Sequence, residues 1–171
     1  YKDGAPKIFP DFWEDFLSHI PEKTKSDDYL KAYYKLLTNS DEIAKMSAAK
    51  AWARWEARCS TLEPSLKTVK NFTEPHLALS FARICCHYML NDPLLRENLI
   101  LENIDKIADI PGIIIHGRYD LICPLGNAYE LKNHWENSTL NIIRDAGHSA
   151  FEPAITDALI HATQDFARQF K

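Results

Sequence analysis

Before residue 104 the apolar positions recur at helical spacing. In PDFWEDFLSHI, residues 10–20, Phe12, Trp13, Phe16, Leu17 and Ile20 share one side of a helix that Pro21 stops. Ser26 is placed to cap the next helix, whose apolar positions are Tyr29, Leu30, Tyr33, Tyr34 and Leu37. A longer segment opens at Ser40 and carries Ile43, Ala44, Ala48, Ala51, Trp52 and Trp55 in one stripe. A further helix begins at Thr73 with Pro75 in its first turn, and its expected face runs Leu77, Phe81, Ile84 or Cys85, and Tyr88.

Near residue 104 the pattern changes. Asp109-Ile110-Pro111-Gly112 reads as a turn, and Ile113–Ile115 follow as a β-branched run suited to a strand buried on both faces. Pro124 ends the next loop, residues 125–136 read as a helix, and Leu140–Ile143 form a second short strand. After the loop Asp145-Ala146-Gly147-His148, a last helix carries Ile155, Leu159, Ala162 and Phe166. Strand, loop, helix repeated twice is an α/β pattern with a parallel sheet. No internal repeat or low-complexity tract interrupts it. Two strands are few for a buried sheet, so neighbouring strands are expected on another segment or another chain. The uncovered apolar edge predicts association, a partner, or disorder in part of the second half.

Composition narrows the partners. At 171 residues the chain has room for one sizeable core or two small ones, and 46% hydrophobic with 26% charged residues is ordinary for a globular protein. A net charge of -4 with interleaved signs offers no footprint for nucleic acid and no basic membrane anchor. No signal peptide or membrane span is apparent. The chain starts at Tyr1 rather than methionine, which suggests processing or a piece of something longer. Cys59, Cys85, Cys86 and Cys123 form no CxxC pair, and free thiols in a reducing cytosol are expected. The seven histidines show no metal-binding spacing, so no metal is expected.

Asp120 and His148 each sit in a loop directly after a strand, where α/β sheets build their sites. Acid then histidine matches the last two members of a Ser…Asp…His order. A carboxylate accepting from one ring nitrogen fixes the tautomer, freeing the other nitrogen to take a nucleophile's proton. Taken singly, the acid reads as a turn former and the histidine as a surface residue; paired at two strand ends, they read as chemistry. The nucleophile is missing, because no GxSxG elbow occurs. Ser149 belongs to the histidine's own loop and is expected to bond local backbone, while Cys123 puts a thiol near the site. His116 reads as a satisfied structural residue, and Arg118 stays unassigned.

The stretches DGAPKIFPDFWEDFL, AAKAWARWE (48–56), LALSFARI (77–84), IADIPGIIIHGRYDLICPL (107–125) and AGHSAFEP (146–153) carry a resemblance that covers nearly the whole chain. It resembles the C-terminal portion of the proline iminopeptidases, prolyl aminopeptidases of the α/β-hydrolase superfamily. The resemblance implies an incomplete α/β-hydrolase fold, with a helical cap over residues 1–104 and the C-terminal strands and helices of a parallel sheet over 105–171. It implies Asp120 as triad acid, His148 as triad base, and a GxSxG serine upstream of Tyr1. It also implies that the substrate is a peptide with a free N-terminal proline and that no cofactor is needed; the free thiols set the expected compartment as cytoplasmic. Glu56, by itself a solvated helix glutamate, falls on a family glutamate that resembles an anchor for the substrate amine. The second such glutamate follows ARI, and here Cys85 takes its place; a neutral thiol does not supply the missing charge. Trp52 and Trp55 read first as cap core and second as lining of a proline pocket. The chain alone is expected to be inactive, and to self-associate or pair with the missing N-terminal segment. Two alternatives stand beside this reading: a related hydrolase of another small amide or ester, and a non-catalytic binding remnant.

Overall fold

The computed structural model describes residues 4–22, 28–91 and 98–169. They belong to two compact units, one built from Tyr1–Cys59 and Pro64–Leu94, the other from Ser60–Glu63 and Leu95–Lys171.

The first unit is helical: α1 (Ala5–Ile8), α2 (Pro10–Ser18), α3 (Tyr29–Leu37), α4 (Glu42–Ser60), α5 (Leu66–Phe72) and α6 (Pro75–Leu90). Asp28 caps α3, its side chain accepting from the Leu30 and Lys31 amides. The cap expected at Ser26 lies outside the described residues. Tyr29, Ala32, Tyr33, Leu36 and Leu37 form the buried stripe of α3 at a 3.6-residue period, whereas Tyr34, expected on that face, is exposed and Leu30 is half-buried. Over its C-terminal half α4 is buried nearly all round, because its alanines let neighbouring elements approach closely while Trp52 and Trp55 fill the space between. The core is aromatic. Phe16 stacks on Tyr33 at 4.3 Å between centroids, Trp52 meets Tyr33 edge-on at 5.4 Å, and the Tyr33 hydroxyl donates to the Phe16 carbonyl at 2.6 Å. That hydrogen bond satisfies a hydroxyl that burial keeps from ionising.

Two further apolar expectations fail in this unit. Ile43, placed in the α4 stripe, is 85% exposed, since the stripe begins to bury only at Ala48. On α6 the buried face is Ala78, Ala82 and Cys86, while Leu77, Ile84 and Tyr88 face outward. Small residues at i, i+4 and i+8 let α6 pack closely on α3, where the Cys86 thiol reaches the Leu30 carbonyl at 3.5 Å. The larger side chains on the other sides of the helix have no room on that face.

The second unit contains a 3₁₀ helix (Leu101–Ile107), β1 (Gly112–Gly117), α7 (Leu125–His134), β2 (Ser138–Ile143) and α8 (Pro153–Gln169). Strands β1 and β2 pair in parallel, with Ile113 opposite Thr139 and His116 opposite Ile142. Both α7 and α8 pack on β1. Gly112 lies against the Trp135 indole, where a Cβ would overlap the ring, and that indole donates to the Ile110 carbonyl at 3.0 Å. Ile113–Ile115 are half-buried rather than buried on both faces, because the sheet among the described residues has two strands and leaves the outer edge of β1 unpaired.

Candidate active site

The loops after the two strands lie side by side. Arg118 donates its amide to Ile143 at 2.8 Å and Tyr119 to Ala146 at 3.0 Å, which ties the turn after β1 to the turn after β2. Gly117 makes this approach feasible: a Cβ there would fall on the Gly147 and Ala146 carbonyl oxygens.

Within that junction Asp120 is buried and four-way committed. Its Oδ1 accepts from the Ile122 amide at 3.0 Å and the Cys123 amide at 2.8 Å, an Asx-type turn that fixes the carboxylate plane. Its Oδ2 accepts from His148 Nδ1 at 3.0 Å and lies 3.4 Å from His116 Nε2. His116 donates to the Cys123 carbonyl at 2.9 Å, so it is held structurally, as its place at the strand end implied. The Ser149 hydroxyl accepts from the Phe151 amide at 3.3 Å, the local role expected of it.

Burial alone would raise the Asp120 carboxyl, but the hydrogen bonds from His148 and from the Cys123 and Ile122 amides together hold it below its usual value. His148 is pushed up to about 10, first by its hydrogen bond to Asp120 and then by one to the Cys123 side chain, against the opposing effect of burial. The carboxylate thus stabilises the ring whenever it carries a second proton. Imidazolium is the form a general base takes once it has accepted a nucleophile's proton, so the pair stabilises what that step creates. The His148 side chain is 39% exposed while that of Asp120 is 5% exposed, so the acid is enclosed and the histidine is reachable.

Glu56 and Cys85 lie in the helical unit. Glu56 is buried on α4 at 7% exposure, so it is not the solvated helix glutamate its position in the sequence suggests by itself. Cys85, half-buried on α6, is pushed up to about 11 by burial, with the Glu56 charge adding to the shift. The two residues therefore share one electrostatic neighbourhood. Trp52 and Trp55, at 0% and 3% exposure, are core. All four cysteines are free. Among the described residues no group of histidine, cysteine and acid side chains is placed to hold a metal ion, and no helix is long and apolar enough to cross a membrane.

A parallel strand pair with an acid and a histidine meeting across its two exit loops is the C-terminal end of an α/β hydrolase, and the family's sequence profile matches residues 2–154. The chain belongs to the α/β-hydrolase fold family. More narrowly, it is 44% identical over 168 residues to the proline iminopeptidase of Xanthomonas citri, a match covering 98% of this chain and 53% of the relative. It is 44% identical over 172 residues to the probable proline iminopeptidase of Leptolyngbya boryana, covering 99% and 53%. To the proline iminopeptidase of Arabidopsis thaliana it is 39% identical over 165 residues, covering 96% and 43%. The chain spans about half the length of these curated relatives.

Proposed function

We propose that this chain is the cap and C-terminal part of a serine aminopeptidase that releases N-terminal proline from peptides. The observation that carries the proposal is the 3.0 Å contact between Asp120 and His148 across the two strand-end loops, in a chain similar along nearly its whole length to proline iminopeptidases. In this reading a serine on a segment outside these 171 residues attacks the substrate carbonyl. His148 takes the serine proton through its second ring nitrogen and returns it to the leaving amine, while Asp120 holds the ring orientation and the imidazolium charge. Residues 1–104 form the cap, and residues 105–171 complete the catalytic domain.

Glu56 is the anchor for the substrate's cationic amine; its burial supports the role, since a buried carboxylate gains most from a charged partner. Cys85 stands where a second anchoring acid would double that charge, so selection of a free amino terminus rests on Glu56. That substitution is what keeps the second reading, a hydrolase of another small amide or ester. The chain works with no cofactor, in a reducing cytoplasm that suits four free cysteines. The outer edge of β1 pairs with the segment that carries the serine, or with a second copy.

A proline arylamide assay tests the proposal. The complete enzyme carrying this chain cleaves the substrate, His148→Ala lowers kcat by about four orders of magnitude or more, and the isolated chain leaves it intact. Turnover by the isolated chain that His148→Ala abolishes would refute the half-site reading. Installing Cys85→Glu raises the preference for free over blocked amino termini; an unchanged preference counts against the ester or amide alternative, which rests on the lost acid.

A further inference from the structure

Glu152 stands at the start of α8, where its carbonyl accepts the Thr156 amide. A side chain at that position ordinarily caps its own helix by accepting from the next two or three amides. The Glu152 carboxylate instead accepts from the Gly147 amide at 2.8 Å through Oε1 and from the Leu62 amide at 3.2 Å through Oε2. One donor lies next to His148; the other lies two residues past the end of α4, in the Ser60–Glu63 segment of the same compact unit. Beside this clamp the Ser60 carbonyl accepts from the His148 amide at 3.0 Å and the Ser149 amide at 2.8 Å. Three successive amides, Gly147 to Ser149, are therefore held by one carboxylate and one carbonyl. Nothing larger than glycine fits at 147 without loosening the clamp, since a Cβ would sit 3.0 Å from the Leu62 nitrogen and 3.2 Å from Oε1.

We infer that Glu152 is a positioning residue for His148: its two-oxygen clamp on Gly147 and Leu62 fixes the histidine loop so that the ring lies in register with Asp120. The N-terminal end of the α8 dipole favours the negative charge this role needs. Asp120 is already fixed by the Ile122 and Cys123 amides, so the quality of the pair depends on what holds the histidine side. The inference rests on the Asp120–His148 reading above and adds to it a residue that touches neither ring.

The test is NMR titration of the His148 ring in this chain and in its Glu152→Gln variant, which keeps the shape but replaces one acceptor oxygen with a donor NH2. Wild-type His148 titrates well above 6.5, the ordinary value. In the variant it moves down by about one pH unit, a tenfold loss of preference for the charged ring. Gly147 and Leu62 amide exchange accelerates by at least about tenfold while the β1–β2 ladder keeps its protection. A high wild-type value that Glu152→Gln leaves in place overturns the positioning role and spares the pair. An ordinary value already in the wild type overturns the Asp120–His148 reading itself. If Glu152→Gln also strips the ladder, Glu152→Asp, which keeps the charge with a shorter reach, is read for the same His148 shift. Wild-type exchange at Gly147 and Leu62 as fast as in an unstructured peptide overturns the clamp.

Discussion

The two compact units place their polar groups by different means. In the helical unit, Glu56 and Cys85 sit on helices whose position is set by packing of alanines and aromatic rings. In the strand-bearing unit, Asp120 and His148 sit on short loops, and hydrogen bonds to named backbone groups fix them. Packing is tolerant of small displacements; a charge on a helix needs only to lie in the right neighbourhood to anchor an amine. Proton transfer demands a contact near 3 Å, and hydrogen-bonded loops deliver it.

The largest expected effect comes from the packing side. Trp52→Ala removes a fully buried ring from the aromatic core and costs roughly 3–5 kcal/mol, measured by denaturant unfolding. A cost under about 1 kcal/mol would mean the core does not hold the helices in place. Next comes Gly117→Ala, which forces a methyl onto the neighbouring loop's carbonyls and costs about 1–3 kcal/mol. It also lowers the His148 titration, because the two loops part; a destabilised variant with unchanged titration would separate loop contact from pair geometry.

The pH dependence of stability follows from the same pair. His148 binds its proton more tightly in the folded state, so its contribution is complete below about 6.5 and is lost as pH rises toward about 10. Asp120 is shifted the other way, and its contribution is present above 3.8 and lost as pH falls below it. Wild-type stability therefore declines through the alkaline range more steeply than that of His148→Gln; parallel curves would contradict the shift. The smallest effect belongs to Cys123→Ala, which lowers the His148 titration by less than loss of Asp120 does, since the carboxylate is the stronger partner.

The site was more legible in the sequence than the packing was. Asp120 and His148 stand out because each follows a β-branched run, and strand ends are where loops converge. The buried face of α6 was not legible: Leu77, Ile84 and Tyr88 outrank Ala78 and Ala82 in hydrophobicity, yet close helix approach selects the small residues. Helix α5 buries none of its residues, so no apolar stripe announces it, and only Ser65 at its N-cap gives a signal. Glu152 lies within AGHSAFEP, but its partner Leu62 is 90 residues away, and only the folded chain brings it there.

The central claim is that Asp120 holds His148 as a catalytic pair. Titration of the His148 ring by NMR in the wild-type chain and in Asp120→Asn tests it most directly. The expected wild-type value lies well above 6.5 and falls substantially when the carboxylate becomes an amide, because the largest contact raising the ring is lost while the lesser one to Cys123 remains. Equal values near 6.5 in both proteins would contradict it.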